Sequence, residues 1–229
     1  MAKIRIDVTL TFTTPPSVGA VGAGRTLADK VVTRNARGNF IIPASQMKGK
    51  LRHACEQILR SQNVPLCHPP RPDRMCPQID KDDEGRLLPQ PDGQPYCLLC
   101  RIFGSPAYPS RLRFLDLLAA LPDSLPGETL RPMVSLNRGR RVAEDKRLFV
   151  IETAPNVSGL KFEKSECITG YVHDPRHLHL LLCGLNALFT WGGGTSRGLG
   201  WGKADCEAWL DGEAIGKVSK EEVLQLCRS

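Results

Sequence analysis

The chain has 229 residues, of which 41% are hydrophobic, and its formal net charge at pH 7 is +7. This length suits one large domain or a domain with insertions, and the basic balance favours a polyanionic partner. No apolar run approaches the length that crosses a bilayer, which excludes a membrane-spanning protein. The first residues run directly into an alternating strand, so no signal peptide is expected. The nine cysteines are therefore expected to be reduced thiols and metal ligands in the cytoplasm.

The first half of the chain predicts one strand and one long helix. Apolar and polar residues alternate from Ile4 to Phe12, which is the period of a half-buried strand. Residues 13–42 follow without strong periodicity. Ser45 is then placed as a helix N-cap, because its hydroxyl can accept from a free backbone N–H. The apolar positions that share one face of this helix are Met47, Leu51, Ala54, Cys55, Ile58 and Leu59.

The start of this helix combines several features that suit a phosphate. Lys48 and Arg52 are four residues apart and share a face, and the positive end of the helix dipole lies beside Ser45. Free N–H groups, a hydroxyl and two cations together favour an anion there. A solvated basic face explains the same pattern equally well.

The second half of the chain predicts further strands around a second long helix. In chain order these elements are a strand through Leu112, Phe114 and Leu117, a strand over 166–173, a helix over 176–190, a strand over 204–210 and a short helix capped by Ser219 and Glu222. The order strand, helix, strand, strand, helix, strand is the ferredoxin-like pattern. The expected fold class is therefore α+β, with a ferredoxin-like (RRM-like) βαββαβ core.

Two insertions interrupt this core within a single domain spanning residues 1–229. The core is assigned to residues 1–61, 106–121 and 166–215, the first insertion to 62–105, a protruding hairpin to 122–165 and a closing helix to 216–229. The hairpin has a basic tip that contains Arg138, Arg140 and Arg141. Open sheets of the ferredoxin-like kind often bind RNA.

A glycine-rich loop lies between the second helix and the last strand. Residues 192–203 contain six glycines, together with Thr195, Arg197 and Lys203. Glycine permits positive φ and close approach of another chain, so a binding loop is favoured over a flexible turn. A phosphate-binding P-loop and a dinucleotide fingerprint both require a strand before the glycines and a helix after them. The order here is the reverse, which excludes both.

The first insertion carries a cysteine pattern typical of structural zinc. Cys97 and Cys100 have C-x-x-C spacing, and the remaining ligands are expected from Cys76 and from either Cys67 or the adjacent His68. A segment so poor in apolar residues needs such a metal to hold its shape. Unrelated free cysteines or a redox pair are the alternatives, although no thioredoxin-like context follows.

Three ordered motifs resemble one known family. Residues 42–52, IPASQMKGKLR, resemble the I-P-x-S-x-x-K-G-x-x-R helix start of the RAMP superfamily, the repeat-associated RNA-binding proteins of CRISPR systems. Residues 100–105, CRIFGS, followed by residues 110–112, SRL, resemble a second family segment, and Gly192 to Gly200 resemble its C-terminal glycine-rich loop. The similarity is greatest to the backbone subunit of type III CRISPR effector complexes, in the zinc-containing subtypes III-D and III-E.

This resemblance implies a role in antiviral defence. Copies of such a subunit stack head to tail with other type III subunits and hold the guide CRISPR RNA, while target RNA pairs with the exposed guide. A thumb-like hairpin, here residues 131–165, displaces one guide base in every six. The residues expected to contact RNA are Ser45, Lys48, Lys50, Arg52, Arg138, Arg141, Gly193, Gly194, Thr195 and Arg197.

The resemblance also implies an endoribonuclease. An aspartate in the loop before the first motif cuts target RNA beside each displaced base with a divalent metal, expected to be Mg²⁺. By position this residue is Asp29, the only acidic residue between Asp7 and Glu56. The alternatives are a structural RNA-binding subunit in which Asp29 is an ordinary loop acid, and a metal-independent nuclease for the guide precursor. The candidate catalytic histidines of such a metal-independent nuclease are His53, His173, His177 and His179.

Overall fold

The computed structural model describes residues 1–21, 28–70, 75–77, 95–120, 127–157 and 159–216. Within these ranges the chain is an α+β protein built mostly from strands, with few helices. The strands are β1 (Ala2–Phe12), β2 (Gly19–Val21), β3 (Lys30–Val32), β4 (Ile41–Ile42), β5 (Leu112–Phe114), β6 (Leu117–Ala119), β7 (Thr129–Asn137), β8 (Val142–Thr153), β9 (Leu160–Val172), β10 (Gly202–Leu210) and β11 (Glu213–Ile215). The helices are α1 (Ala44–Ser61), α2 (Leu98–Phe103) and α3 (Arg176–Asn186).

The larger sheet has the strand order β11-β10-β1-β9-β6-β4, and β5 pairs with β9 beside β6. Strand β1 lies near its centre and pairs antiparallel with both β10 and β9. The alternation predicted for this strand is confirmed, because Ile4, Ile6, Val8 and Leu10 are buried while the residues that alternate with them are not. One face of the sheet therefore belongs to the core.

The helices cover the apolar face of this sheet. Helix α1 packs against α3, and α3 packs against β10. The predicted apolar face of α1 is confirmed, since Met47, Leu51, Ala54, Cys55 and Leu59 are buried. Burial of these side chains supplies most of the stability of helices of this length, because propensity alone is marginal in water.

A second sheet, of order β2-β3-β8-β7, carries the predicted hairpin. Strands β7 and β8 form the hairpin, and its turn is the basic tip that the sequence predicts. Near the tip the apolar side chains Leu136, Val142 and Leu148 are exposed. At the base, Lys30 of β3 pairs in parallel with Ile151 of β8. The hairpin thus projects from the body of the protein and is attached at its base.

Several predicted boundaries differ from the observed ones. Ser45 is not the N-cap of α1: the helix begins at Ala44 after the extended Pro43, and Asp116 Oδ1 accepts a hydrogen bond from the Ala44 N–H at 2.7 Å. A carboxylate from a distant connection therefore replaces the expected hydroxyl. The second helix ends at Asn186, short of the predicted residue 190.

The predicted strands differ in extent as well. The strand expected over 166–173 begins at Leu160, so residues assigned to the hairpin pair instead with β1. The single strand expected near Leu112 is divided into β5 and β6. The closing helix expected over 216–229 lies, apart from Gly216, outside the described residues.

No helix in the described part of the chain is both long enough and apolar enough to cross a membrane.

Candidate functional site

Asp29 stands at the base of the hairpin, immediately before β3. Its exposed carboxylate accepts a hydrogen bond through Oδ2 from the Val150 N–H at 2.8 Å, and its own N–H donates to the Val150 carbonyl at 2.9 Å. The first contact uses one oxygen of the carboxylate. The proposed catalytic residue therefore also fastens its loop to β8.

The glycine-rich loop connects α3 to β10, as the sequence predicts, and packs closely on the segment after β1. The Gly193 N–H donates to the Ser17 carbonyl at 2.8 Å, and the Gly200 N–H donates to the Pro15 carbonyl at 3.1 Å. A Cβ added at Gly200 would lie 1.9 Å from the Trp191 carbonyl oxygen. Glycine is thus required at Gly200 for contact with the protein's own backbone, whereas the sequence argument assigned the glycines to approach by another chain.

Part of the loop stays open for such an approach. Thr195 to Arg197 form a single 3-10 turn between two glycines in the left-handed region, Gly194 and Gly198. Gly193, Arg197 and Gly198 are exposed, and a Cβ at Gly198 would meet no atom within 4 Å. This exposed turn can present the Arg197 guanidinium to an anion without base preference. The N–H groups of Gly193, Arg197 and Gly198 already donate to carbonyl oxygens within the protein.

Three segments that are distant in sequence meet around this loop. Arg197 lies 6.0 Å from the centre of the Phe149 ring on β8, and Phe149 precedes Val150, the partner of Asp29. From α1, the Lys50 ammonium lies 5.9 Å from the ring of Trp191, where the loop begins. The structure therefore places Arg197 and Asp29 at the base of the hairpin, and Lys50 beside the start of the glycine-rich loop.

The other basic residues of α1 point to different neighbours. Lys48 lies 5.9 Å from the ring of Phe114, and Ser45 is exposed in the first turn. Arg52 donates to the Gly104 carbonyl at 2.9 Å and contacts the Cys100 sulfur at 3.6 Å. Burial lowers the pKa of both Lys48 and Lys50, so these ammonium groups are partly desolvated. The basic face expected on α1 is thus divided among three surroundings.

The hairpin tip is remote from this group. Arg138 and Arg141 are exposed in the turn, where Arg141 adopts a positive φ of 56° and donates its N–H to the Asn137 carbonyl at 2.7 Å. The strand from the tip to Val150 covers roughly 25 Å at about 3.3 Å per residue. Arg138 and Arg141 can therefore contact only a ligand that extends along the hairpin.

Four cysteines meet in the first insertion. The sulfur atoms of Cys67, Cys76, Cys97 and Cys100 all lie within 4.8 Å of one another, and all four residues are buried. The Cys67 sulfur lies 3.6 Å from that of Cys100 and 3.7 Å from that of Cys97. Four thiolates around one zinc ion at about 2.3 Å would be separated by about 3.8 Å, so the cluster is compatible with a structural metal such as zinc.

His68, the sequence alternative to Cys67, faces elsewhere. Its ring nitrogens lie 3.3 and 3.5 Å from the guanidinium of Arg60, while Cys67 contributes its sulfur to the cluster. All eight cysteines in the described ranges are free of disulfide bonds. The set of potential ligands is therefore four thiols and no imidazole.

Hydrogen bonds within the cluster favour a thiolate at Cys97. Hydrogen bonds with the Cys100 and Cys67 side chains lower the pKa of Cys97, whereas burial raises the pKa of Cys76 to about 12. The Cys97 N–H donates to the Cys76 sulfur at 3.1 Å, and the Arg52 guanidinium faces Cys100. Such donors stabilise negative charge on sulfur and are typical of the surroundings of a metal site.

The sequence model of the RAMP superfamily matches residues 9–203 of this chain, which include the end of β1, the cysteine cluster, the hairpin and the glycine-rich loop. The chain belongs to the RAMP superfamily. The family indicates a CRISPR-associated RNA-binding subunit that works with CRISPR RNA and partner subunits. A search of curated proteins finds no match.

The histidines considered for a metal-independent RAMP nuclease have other surroundings. His173 Nε2 lies 3.0 Å from the Tyr108 hydroxyl. His177 is buried at the start of α3, and burial lowers its pKa to about 4. His53 is exposed on α1 and His179 is half-buried on α3. Among the described contacts none joins a histidine to Asp29 or to the glycine-rich loop.

Sequence reasoning missed two features of this RAMP protein. Phe149 lies between the Asp29 loop and Arg197, although its sequence pattern indicates only a strand. Phe189, which precedes the glycine-rich loop, and Trp201, near the end of that loop, form a stacked pair with ring centres 5.7 Å apart. Both are exposed, and the Trp201 indole N–H donates to the Thr195 carbonyl at 3.1 Å. Aromatic residues near the two ends of the glycine-rich loop were the available signal.

Proposed function

We propose that this chain is the backbone subunit of a type III CRISPR effector complex, which binds the guide RNA along its sugar-phosphate backbone. Copies stack head to tail with other subunits of the complex in the cytoplasm. The observation that carries the proposal is the placement of Arg197 and Asp29 at the base of a projecting hairpin, with Lys50 beside the start of the glycine-rich loop. Cations beside a protruding hairpin suit an RNA strand whose sequence is read by base pairing, because they contact its phosphates without base preference.

The proposed core is ferredoxin-like. Strands β10, β1 and β9 lie side by side, all antiparallel, with β5 and β6 on the far side of β9. Helix α1 lies between β1 and β5 in sequence, and α3 lies between β9 and β10. This order is the one that a βαββαβ unit produces when both helices cover the same face.

The proposed metal of the cysteine cluster is zinc, held by Cys67, Cys76, Cys97 and Cys100. Four sulfur ligands complete a tetrahedral shell and leave no open position, so the metal would have a structural role. A zinc-bearing insertion supports an assignment near subtypes III-D and III-E.

The proposed chemistry is cleavage of target RNA at six-nucleotide intervals through Asp29 with Mg²⁺. The Asp29 carboxylate is exposed at the base of the hairpin, beside the displaced base that a thumb would create. Mg²⁺ prefers oxygen ligands and a carboxylate is one of them. Asp29 would hold the ion or orient the attacking 2′-hydroxyl.

A second candidate is a subunit that holds the guide without cutting. The hydrogen bond from the Val150 N–H to Asp29 Oδ2 favours this candidate, because it gives the carboxylate a structural task. The two candidates share the same RNA-binding surface and differ only in chemistry.

The test of guide binding uses the assembled complex and its guide RNA. Lys50→Ala and Arg197→Ala should each weaken guide retention and reduce the salt dependence, by about 0.7 in the slope for each phosphate that the variant no longer neutralises. Lys161→Ala, an exposed lysine on β9, serves as the matched control. Equal retention and equal slopes for all three variants would contradict the proposal.

A further inference from the structure

The larger sheet has a second face, which none of the described helices covers. On this face the side chains of β1 that alternate with the buried ones are Lys3, Arg5, Asp7 and Thr9. Cross-strand pairing places Arg5 beside Trp209 on one side and beside Thr169 on the other, and Thr169 beside Arg113. One continuous row therefore runs across four strands from Arg113 to Trp209.

A second row of the same face lies two residues away. Lys3 pairs with Tyr171, and the Tyr171 N–H donates to the Arg111 carbonyl at 3.3 Å. Tyr171 lies near the end of β9 and is 51% exposed, so its ring is accessible to a ligand. The two rows together form what we call the aromatic strip: Lys3, Arg5, Arg111, Arg113, Thr169, Tyr171 and Trp209.

Arg5 is held in a defined orientation within the aromatic strip. Its guanidinium donates to both oxygens of Asp7 at 2.9 and 2.8 Å, lies 3.6 Å from Glu166, and sits 4.5 Å from the centre of the Trp209 ring. The side chain nevertheless remains 42% exposed. A guanidinium held over an indole by two carboxylates can stack a nucleobase on its free surface without losing much rotamer entropy.

Along the strands, this face has an acidic end and a basic end. Beyond Arg5, a cavity of about 720 Å³ has four acidic residues in its lining and one lysine, Lys164; the acidic residues are Asp7, Glu163, Asp205 and Glu207. Around the aromatic strip, a cavity of about 530 Å³ is lined by Lys3, Arg5, Glu166 and Trp209, among others. Asp7 and Glu166 neutralise Arg5, so Lys3, Arg111 and Arg113 supply the positive charge. A polyanion would therefore cross the strands along the strip and avoid the acidic end.

We infer that the aromatic strip is a second RNA surface, which binds a short single-stranded segment by stacking bases on Tyr171 and on the Arg5–Trp209 pair. Phosphates of that segment contact Lys3, Arg111 and Arg113. Three strand spacings of about 4.8 Å make the strip about 14 Å long, which suits the two or three bases that four-stranded RNA-binding sheets stack. The strip shares no residue with the guide-binding group around Arg197.

The experiment measures binding of the full chain to a labelled hexauridine that carries 5-iodouridine for photocrosslinking. Tyr171→Leu keeps an apolar side chain but removes the ring, and should weaken binding by about five-fold or more, since one base stack contributes about 1–3 kcal/mol. Glu163→Gln, on the acidic end of the same face, is the matched control and should not weaken binding. Crosslinks should map to Tyr171 or Trp209.

The other outcomes are distinct. Equal affinity of Tyr171→Leu and wild type, or crosslinks confined to the glycine-rich loop and hairpin, would overturn the inference while leaving the proposed guide-binding function intact. A change in sedimentation of Tyr171→Leu with unchanged RNA affinity would show a protein interface instead, and would also overturn it. Loss of guide retention can be measured separately with Lys50→Ala and Arg197→Ala, so failure of the proposed function would be recognised independently.

Discussion

Asp29 and Val150 form a reciprocal pair of hydrogen bonds, one through the Asp29 carboxylate at 2.8 Å and one through its backbone N–H at 2.9 Å. The pair continues into β3, where Lys30 pairs in parallel with Ile151. The loop that carries the proposed catalytic carboxylate is therefore positioned by the strand that forms one side of the thumb-like hairpin. Any movement of the hairpin base would move this carboxylate with it.

This pair allows chemistry and structure to be separated by two substitutions. Asp29→Asn keeps an oxygen that can accept from the Val150 N–H but removes the charge, whereas Asp29→Ala removes both. If Asp29 cuts RNA, both variants should lose regularly spaced, Mg²⁺-dependent cleavage by about a hundred-fold or more in the assembled complex. Only Asp29→Ala should lose stability, by about 1 kcal/mol for one hydrogen bond, as measured by urea unfolding.

Retention of cleavage by Asp29→Asn would assign the residue a structural role. Cuts of unchanged rate and spacing in both variants would remove Asp29 from the chemistry altogether. If wild type makes no cuts although the guide is bound, the chain is the non-cutting subunit.

The cysteine cluster predicts a metal requirement. Cys97→Ser removes the thiol whose pKa its neighbours lower, and should abolish bound zinc and destabilise the chain by about 4 kcal/mol or more, as expected for loss of a structural metal. Zinc content by elemental analysis and thermal unfolding with and without chelator provide the measurement. Cys206→Ser, a cysteine of β10 outside the cluster, should keep its zinc. Purified wild type without metal, equally stable in chelator, would reject the zinc proposal.

The sequence predicted best those features that depend on local periodicity. The alternation from Ile4 to Phe12 and the apolar face of α1 were visible because burial repeats every two residues in a strand and about every 3.6 in a helix. The hairpin was visible from its basic turn between two strand-like runs. The C-x-x-C spacing indicated a cluster, although it could not choose between Cys67 and His68.

Features that depend on distant contacts could not be predicted in this way. Asp116 replaces Ser45 at the start of α1 only because the connection between β5 and β6 passes that helix end. Arg52 contacts Cys100 rather than solvent because α1 packs against α2. Gly200 is required by the Trp191 carbonyl, whose position is set by the fold of the whole loop.

The burial of His177 predicts that the protein is less stable to unfolding at acid pH. Burial lowers its pKa to about 4, while Asp174 raises it and Arg101, His173 and Arg176 lower it further. Between pH 6.5 and pH 4, the His177 imidazole binds a proton in the unfolded chain but not in the folded chain. The free energy of unfolding therefore falls as the pH decreases from 6.5, and this loss is complete below about pH 4. This group should contribute roughly 3 kcal/mol of that loss.

The His177 contribution can be isolated by comparing pH profiles. His177→Gln cannot take up a proton, so its free energy of unfolding, measured in urea from pH 7 to pH 4, should fall less steeply than that of wild type. His53→Gln, an exposed histidine on α1, should follow the wild-type profile. Parallel profiles for wild type and His177→Gln would mean that the imidazole accepts its proton in the folded protein.

The glycine-rich loop predicts unequal costs for two similar substitutions. Gly198 and Gly200 both lie in the left-handed region, at φ 83° and 67°, so alanine costs about 1–2 kcal/mol at either site through backbone strain. Only at Gly200 would the new Cβ lie 1.9 Å from the Trp191 carbonyl oxygen, next to the 2.8 Å hydrogen bond between the Trp191 N–H and the Gly200 carbonyl. Gly200→Ala should therefore lose about 3 kcal/mol or more of stability.

The difference in unfolding free energy between Gly198→Ala and Gly200→Ala measures how far the shape of the loop depends on the contact between Gly200 and the Trp191 carbonyl. Gly198→Ala should remain folded and keep guide binding in the assembled complex, because its Cβ meets no atom within 4 Å. Gly200→Ala should displace the turn that carries Arg197, so guide retention should fall together with stability. Equal unfolding free energies for the two variants would mean that the loop moves away from Trp191 at little cost, and that its exposed edge is set by solvent and RNA rather than by the core.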